Sequence, residues 1–68
     1  MIIKVINNKG DLLTTKNWED PIPNIGDFIR YENSKDNQIW INIISERIFD
    51  FKLNCIWIKV DTLYNTDI

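Results

Sequence analysis

Apolar residues along this chain recur at every second position. No stretch of about ten residues sustains the i, i+3, i+4 spacing of an amphipathic helix. Ile39-Trp40-Ile41-Asn42-Ile43 and Ile56-Trp57-Ile58-Lys59-Val60 are the clearest runs, with an aliphatic residue at every second position. Alternation of this kind turns one face to a core and the other to solvent only in extended strands. The residue types agree. There are 14 isoleucines and no alanine, so β-branched side chains dominate and the best helix former is missing.

Breakers divide the chain into five strand-sized pieces. Ile2–Asn7 reads as the first strand, turned by Asn8-Lys9-Gly10 into a returning strand over Asp11–Thr15. Lys16–Gly26 holds Asn17, Asp20, Pro21, Pro23, Asn24 and Gly26 and reads as a loop, with Trp18 folding back as a lid on one end of the core. Asp27–Glu32 is the third strand, and Asn33-Ser34-Lys35-Asp36-Asn37 a polar turn. Gln38–Phe51 is a long fourth strand whose length calls for a bend, placed at Ser45-Glu46. Lys52-Leu53-Asn54 turns the chain into a fifth strand, Cys55–Thr62, and 63–68 is expected as a polar tail. The strand phases predict a core of Val5, Leu13, Ile29, Tyr31, Ile39, Ile41, Ile43, Phe49, Phe51, Ile56, Ile58 and Val60. The expected fold is all-β: one domain over 1–68, a small five-stranded antiparallel SH3-like or OB-like barrel or a strongly twisted sheet.

A domain of 68 residues buries only roughly 60% of the surface its unfolded chain exposes. Small domains therefore add a staple. A lone Cys55 makes no internal disulfide, and one Cys with no His makes no zinc site. Association with further copies is the staple left, so a homo-oligomer is expected. No apolar run approaches the roughly 20 residues of a membrane span, and Met1–Lys4 is too short for the apolar stretch of a secretion signal. A cytoplasmic protein is expected.

The segment Pro23-Asn24-Ile25-Gly26-Asp27-Phe28-Ile29 has the form P-x-x-G-D-x-I. The glycine permits a sharp turn and the Asp carboxylate can accept backbone N–H groups to close it. A polar turn, a strand opening near Trp40, Arg47-Ile48-Phe49 and the final Ile-x-Ile-x-Val strand follow. This order resembles that of small uncharacterised β-barrel proteins of phages and other mobile elements. Six lysines against two arginines, with abundant Ile and Asn, fit the AT-rich genomes such elements often have. The resemblance implies a fold and a setting, including action on a host or bacterial defence protein, and transfers no functional residue.

Catalytic chemistry has little to build on. Without His there is no imidazole base and no Ser–His or Cys–His pair. Cys55 reads as a small apolar filler, and Asp11 and Asp27 as turn caps; no phosphate-binding loop, EF-hand or CxxC occurs. A non-catalytic chain without metal or cofactor is expected. Asp and Glu outnumber Lys and Arg ten to eight, against a nucleic-acid partner, which needs phosphate neutralisation.

The aromatics are the stronger lead. Trp40, Trp57 and Phe28 alternate with the predicted core residues, so all three should point away from it. Outward tryptophans are costly unless covered and are favoured interface anchors. Arg30, Arg47 and Lys59 lie in the same strands, and Trp57 shares a face with Lys59. The six residues Trp40, Trp57, Phe28, Arg30, Arg47 and Lys59 are the candidate partner-binding set. The leading reading is an oligomeric protein-interaction module. The alternative is a nucleotide or small-ligand binder that stacks a base on Trp and holds phosphate with Arg or Lys, or a single-stranded nucleic-acid binder built the same way.

Overall fold

The computed structural model describes residues 1–33 and 38–67. They form β1 (Ile2–Asn7), β2 (Leu12–Asn17), β3 (Phe28–Asn33), β4 (Gln38–Asp50) and β5 (Cys55–Asp67). All five strands lie in one sheet, ordered β2-β1-β5-β4-β3, which curls strongly into a half-barrel. No helix long and apolar enough to cross a membrane occurs among the described residues. The five strands are those expected, and β1 matches residue for residue. β5 is longer than its alternation indicated: Tyr64 to Asp67 pair with Ile41 to Gln38, where a polar tail was expected. The polar turn expected over 33–37 lies outside the described residues from 34 onward, as does Ile68.

Three of the four pairings are antiparallel. The fourth, β1 with β5, is parallel and sets Ile3 beside Ile56 and Val5 beside Ile58. It joins the β1-β2 hairpin to the β3-β4-β5 meander and creates the core. Ile3, Val5, Ile44, Ile56, Ile58 and Val60 form one buried cluster, flanked by Leu13, Trp18, Ile22 and Ile29. Each such aliphatic side chain contributes about 1.5–3 kcal/mol on full burial.

The long strands bend as expected. At Ser45 the register shifts, so that Ile44 faces Val60 and Glu46 faces Lys59, and the Ser45 hydroxyl donates to the Lys59 carbonyl (3.1 Å). The phase of β4 before this bulge is the reverse of the predicted one. Asn42 and Ile44 are its buried residues and Ile39, Ile41 and Ile43 are half-buried on the outer face. Trp40, in phase with Asn42, therefore lies on the inner face. Asn42 is tolerated there because its Oδ1 accepts from the Thr62 hydroxyl (2.9 Å). Phe49 and Phe51, also predicted core, are exposed, since the core ends at Ile56 and the turn after β4 carries Phe51 into solvent.

β2 and β3 close no ladder with each other. The accessible surface is 4977 Å², against about 4,500 Å² for a compact monomer of this mass. The radius of gyration is 11.9 Å, against about 11 Å for a compact domain of this length.

Candidate functional site

Antiparallel β2 (Leu12–Asn17) and β3 (Phe28–Asn33) form the two banks of a trench over the inner face. Its larger compartment, about 660 Å³, has Ile3, Val5 and Ile58 in its floor, Thr14 and Lys16 on the β2 bank, and Phe28 to Glu32 on the β3 bank. A second compartment, about 340 Å³, continues past Tyr31 to Leu12, Leu13, Trp40 and Asn42. Tyr31 lines both.

The loop from Trp18 to Asp27 crosses the foot of the trench, because it must carry the chain from the end of β2 to the start of β3. Trp18 is its anchor, as the sequence indicated. Its backbone N–H donates to the Met1 carbonyl (2.7 Å), its indole Nε1 to the Pro21 carbonyl (3.1 Å), and its ring packs on the core. Asp27 accepts the Asn24 N–H (2.7 Å), and Gly26, at φ 93°, donates its own N–H to the Ile44 carbonyl (2.9 Å). This is the turn closure that the P-x-x-G-D-x-I segment implied. Arg47 donates from Nη1 to the Pro23 carbonyl (3.3 Å) and lies over the Phe49 ring (5.9 Å). Arg47 thus ties the loop to the inner face.

The ladder phase settles which backbone groups the β3 bank offers. Ile44 N–H donates to the Asp27 carbonyl in the same register as the β3-β4 ladder. Hydrogen-bonded pairs then fall at Ile29 with Asn42 and at Tyr31 with Trp40, by antiparallel alternation. Phe28, Arg30 and Glu32 direct their N–H and C=O groups outward, with no backbone partner among the described residues. Their side chains share the outer face. Arg30 and Glu32 are paired with each other and both are exposed. Lys16, on the β2 bank, has no ion-pair partner among the described residues. Glu32 is the one carboxylate lining either compartment among the described residues, so the trench holds no carboxylate pair for acid–base work.

The six predicted residues thus divide. Trp40, Phe28 and Arg30 border the open side, Arg47 sits at its foot, and Trp57 and Lys59 lie away from it, on the outer face of β5. There Trp57 is already covered. Lys4 Nζ stands 5.3 Å from its ring centroid and its Nε1 donates to Asp50 Oδ2 (3.0 Å). Asp50 also accepts the Leu53 N–H (2.9 Å) and the Lys52 N–H (3.0 Å). The Leu53 N–H bond, then the Trp57 bond, hold its carboxyl below the ordinary aspartate range against an opposing desolvation, with the Lys52 N–H bond and the charge of Lys4 adding to the lowering. Lys59 faces Glu46 at 3.9 Å. Tyr31 and Lys16 were missed as site residues. Phase with Ile29 assigns Tyr31 to the core, and Lys16 falls in the predicted loop. The signal for both is topological, because only the strand order shows that β2 and β3 are edges.

Comparison of the chain with protein-family models, with curated proteins and with solved structures finds no match.

Proposed function

We propose that this chain is a non-catalytic interaction module that acts in the cytoplasm as a homo-oligomer and engages its partner along the open side of the half-barrel. The observation that carries the reading is the trench itself. An apolar floor of core residues and two sheet edges with free backbone groups lie side by side, in a chain that has no disulfide to stabilise it. Trp40, Phe28 and Arg30 border that surface. Trp57 already has partners within its own chain and is demoted from the anchor role. An origin in a phage or mobile element, and action on a host defence protein, follow from the resemblance stated above. Light scattering across micromolar to submillimolar protein tests the oligomer. A mass that stays at 8.1 kDa throughout removes this reading.

A second reading has its own support. A volume of about 660 Å³ is that of a small-molecule pocket. Trp18 and Tyr31 offer ring faces, and Lys16, with no ion-pair partner among the described residues, offers a cation. A nucleotide or similar aromatic anion would fit such a lining. Titration of tryptophan fluorescence with a nucleotide panel decides it; no change in emission or thermal stability excludes this alternative.

A further inference from the structure

The outward edge of β3 is complementary to itself, and we infer that two copies of this chain pair β3 to β3 in antiparallel fashion about a two-fold axis at Tyr31. The inference names the contact used by the oligomer proposed above and rests on that reading. Three observations carry it. First, Phe28, Arg30 and Glu32 present N–H and C=O groups with no backbone partner among the described residues, and no proline or bulge guards them. An unguarded edge of this kind is a template for another strand. Second, the two charges on the edge are of opposite sign and two residues apart. In the register that places Tyr31 opposite the partner's Tyr31, each Arg30 faces the partner's Glu32. Each Glu32 likewise faces the partner's Arg30. The four charges alternate in sign around the axis, and the Arg30–Glu32 pair inside each chain is kept.

Third, the neighbouring registers are worse. Shifting the sum of paired numbers down by two sets Arg30 against Arg30, and like charges directly opposite are destabilising. A further shift by two drives Glu32 past Phe28 into the turn at Gly26, whose N–H is already bonded to Ile44. The Tyr31 register also agrees with the ladder phase. Arg30 and Glu32 fall in a hydrogen-bonded pair, and the two Tyr31 residues in the close, non-hydrogen-bonded pair between them. The sheets of both copies become continuous. The β2 edge offers no comparable match: Thr15 and Asn17 carry no charge, and the Asn17 Oδ1 is taken by the Met1 amino group (3.1 Å).

The test is a charge cross. Arg30→Glu makes the edge wholly acidic and Glu32→Arg makes it wholly basic. Each variant alone is expected to self-associate about tenfold more weakly than the wild type, as two attractive cross-strand pairs become repulsive. An equimolar mixture of the two is expected to restore a particle of twice the chain mass. Neither variant retains the internal Arg30–Glu32 pair, so recovery reports contact between chains. Far-UV circular dichroism confirms that both variants fold. Tyr31→Cys should crosslink into a disulfide dimer on mild oxidation, whereas the wild type, with Cys55 buried, should not; crosslinking at Arg30→Cys instead overturns the register. A dimer that persists unchanged in both charge variants, or a mixture that stays monomeric, overturns the β3 edge and leaves the oligomeric reading standing. A wild-type chain that is monomeric throughout overturns both.

Discussion

The two sides of the half-barrel are built from the same alternating code and end in opposite states. On the closed side, β1, β5 and β4 carry the fully buried residues: Ile3, Val5, Ile44, Ile56, Ile58 and Val60. β4 and β5 are each 13 residues long and pair with each other almost end to end; β1 flanks β5 over Cys55–Val60 and β3 flanks β4 over Gln38–Ile43. On the open side, β2 and β3 are six residues long, each has one neighbour, and their larger side chains stay half-exposed or exposed. The difference is one of neighbours, not of composition. A strand with partners on both flanks places its inward residues under others; an edge strand with the same alternation leaves them at a rim. Stability should therefore reside in the closed side and recognition in the open one.

The largest expected effect is at the centre of the closed side. Ile58 is fully buried between β1 and β4. Ile58→Ala should lower unfolding free energy by about 2–5 kcal/mol, read from urea denaturation. For a domain this small, a loss at the upper end would leave it largely unfolded. Next comes Asn42, 1 % exposed. Asn42→Ala should cost about 1–3 kcal/mol, by removing the acceptor of the Thr62 hydroxyl and leaving a small void. A loss well under 1 kcal/mol would mean that the upper end of the closed side behaves like the rim.

How far the sequence could be read tracks the same division. Strand number, the Ser45 bend and the inward phase of Ile56, Ile58 and Val60 were legible, because local alternation and turn chemistry encode them. The phase of β4 was not. In Gln38-Ile39-Trp40-Ile41-Asn42-Ile43-Ile44 both faces look apolar, and the three isoleucines outvoted a tryptophan and an asparagine. The deciding feature is a hydrogen bond from Thr62, 20 residues away, which no local pattern contains. The parallel β1-β5 pairing was equally hidden, since it joins the two ends of the chain. The site suffered most. Alternation marks Trp57 as outward, yet Lys4 and Asp50 satisfy it from β1 and the end of β4. Tyr31 was placed in the core although its strand is an edge.

Asp50 gives a smaller effect with a sign that can be worked out. Its folded carboxyl titrates below the ordinary value of 3.8 because Leu53, Trp57 and Lys52 donate to the carboxylate and Lys4 is near. A depressed acid stabilises the fold fully above its unfolded value and loses that contribution as pH falls through the folded one. Stability of the wild type should be flat in this respect above about pH 5 and decline below pH 3.8. Asp50→Asn should lower stability near neutrality and show a shallower decline in acid, as followed by thermal melts from pH 6 to pH 2. Equal acid slopes in the two proteins would show that the cap and the Trp57 bond do not stabilise this end of the closed side.

The smallest effect on the monomer is expected at Arg30, and that smallness is the sharpest check on the division. Arg30 is exposed and, among the described residues, is paired only with exposed Glu32, and such pairs contribute about 0–1 kcal/mol. In dilute, low-micromolar protein, Arg30→Gln should shift unfolding free energy by no more than about 0.5 kcal/mol. The contrast should appear only as protein concentration rises. If copies associate through β3, the wild-type melting temperature climbs with concentration, because the dimer forms only from folded chains. The Arg30→Gln protein, which lacks the cross-strand charge, climbs less. High salt should narrow the gap, since exposed charges are screened over roughly 10 Å at 0.1 M and less at higher salt. A large loss in dilute protein would place Arg30 among the residues that hold the fold, and the open side would then be structural rather than free for a partner. Parallel curves for the two proteins at every concentration would leave the rim without the energetic role that its geometry assigns to it.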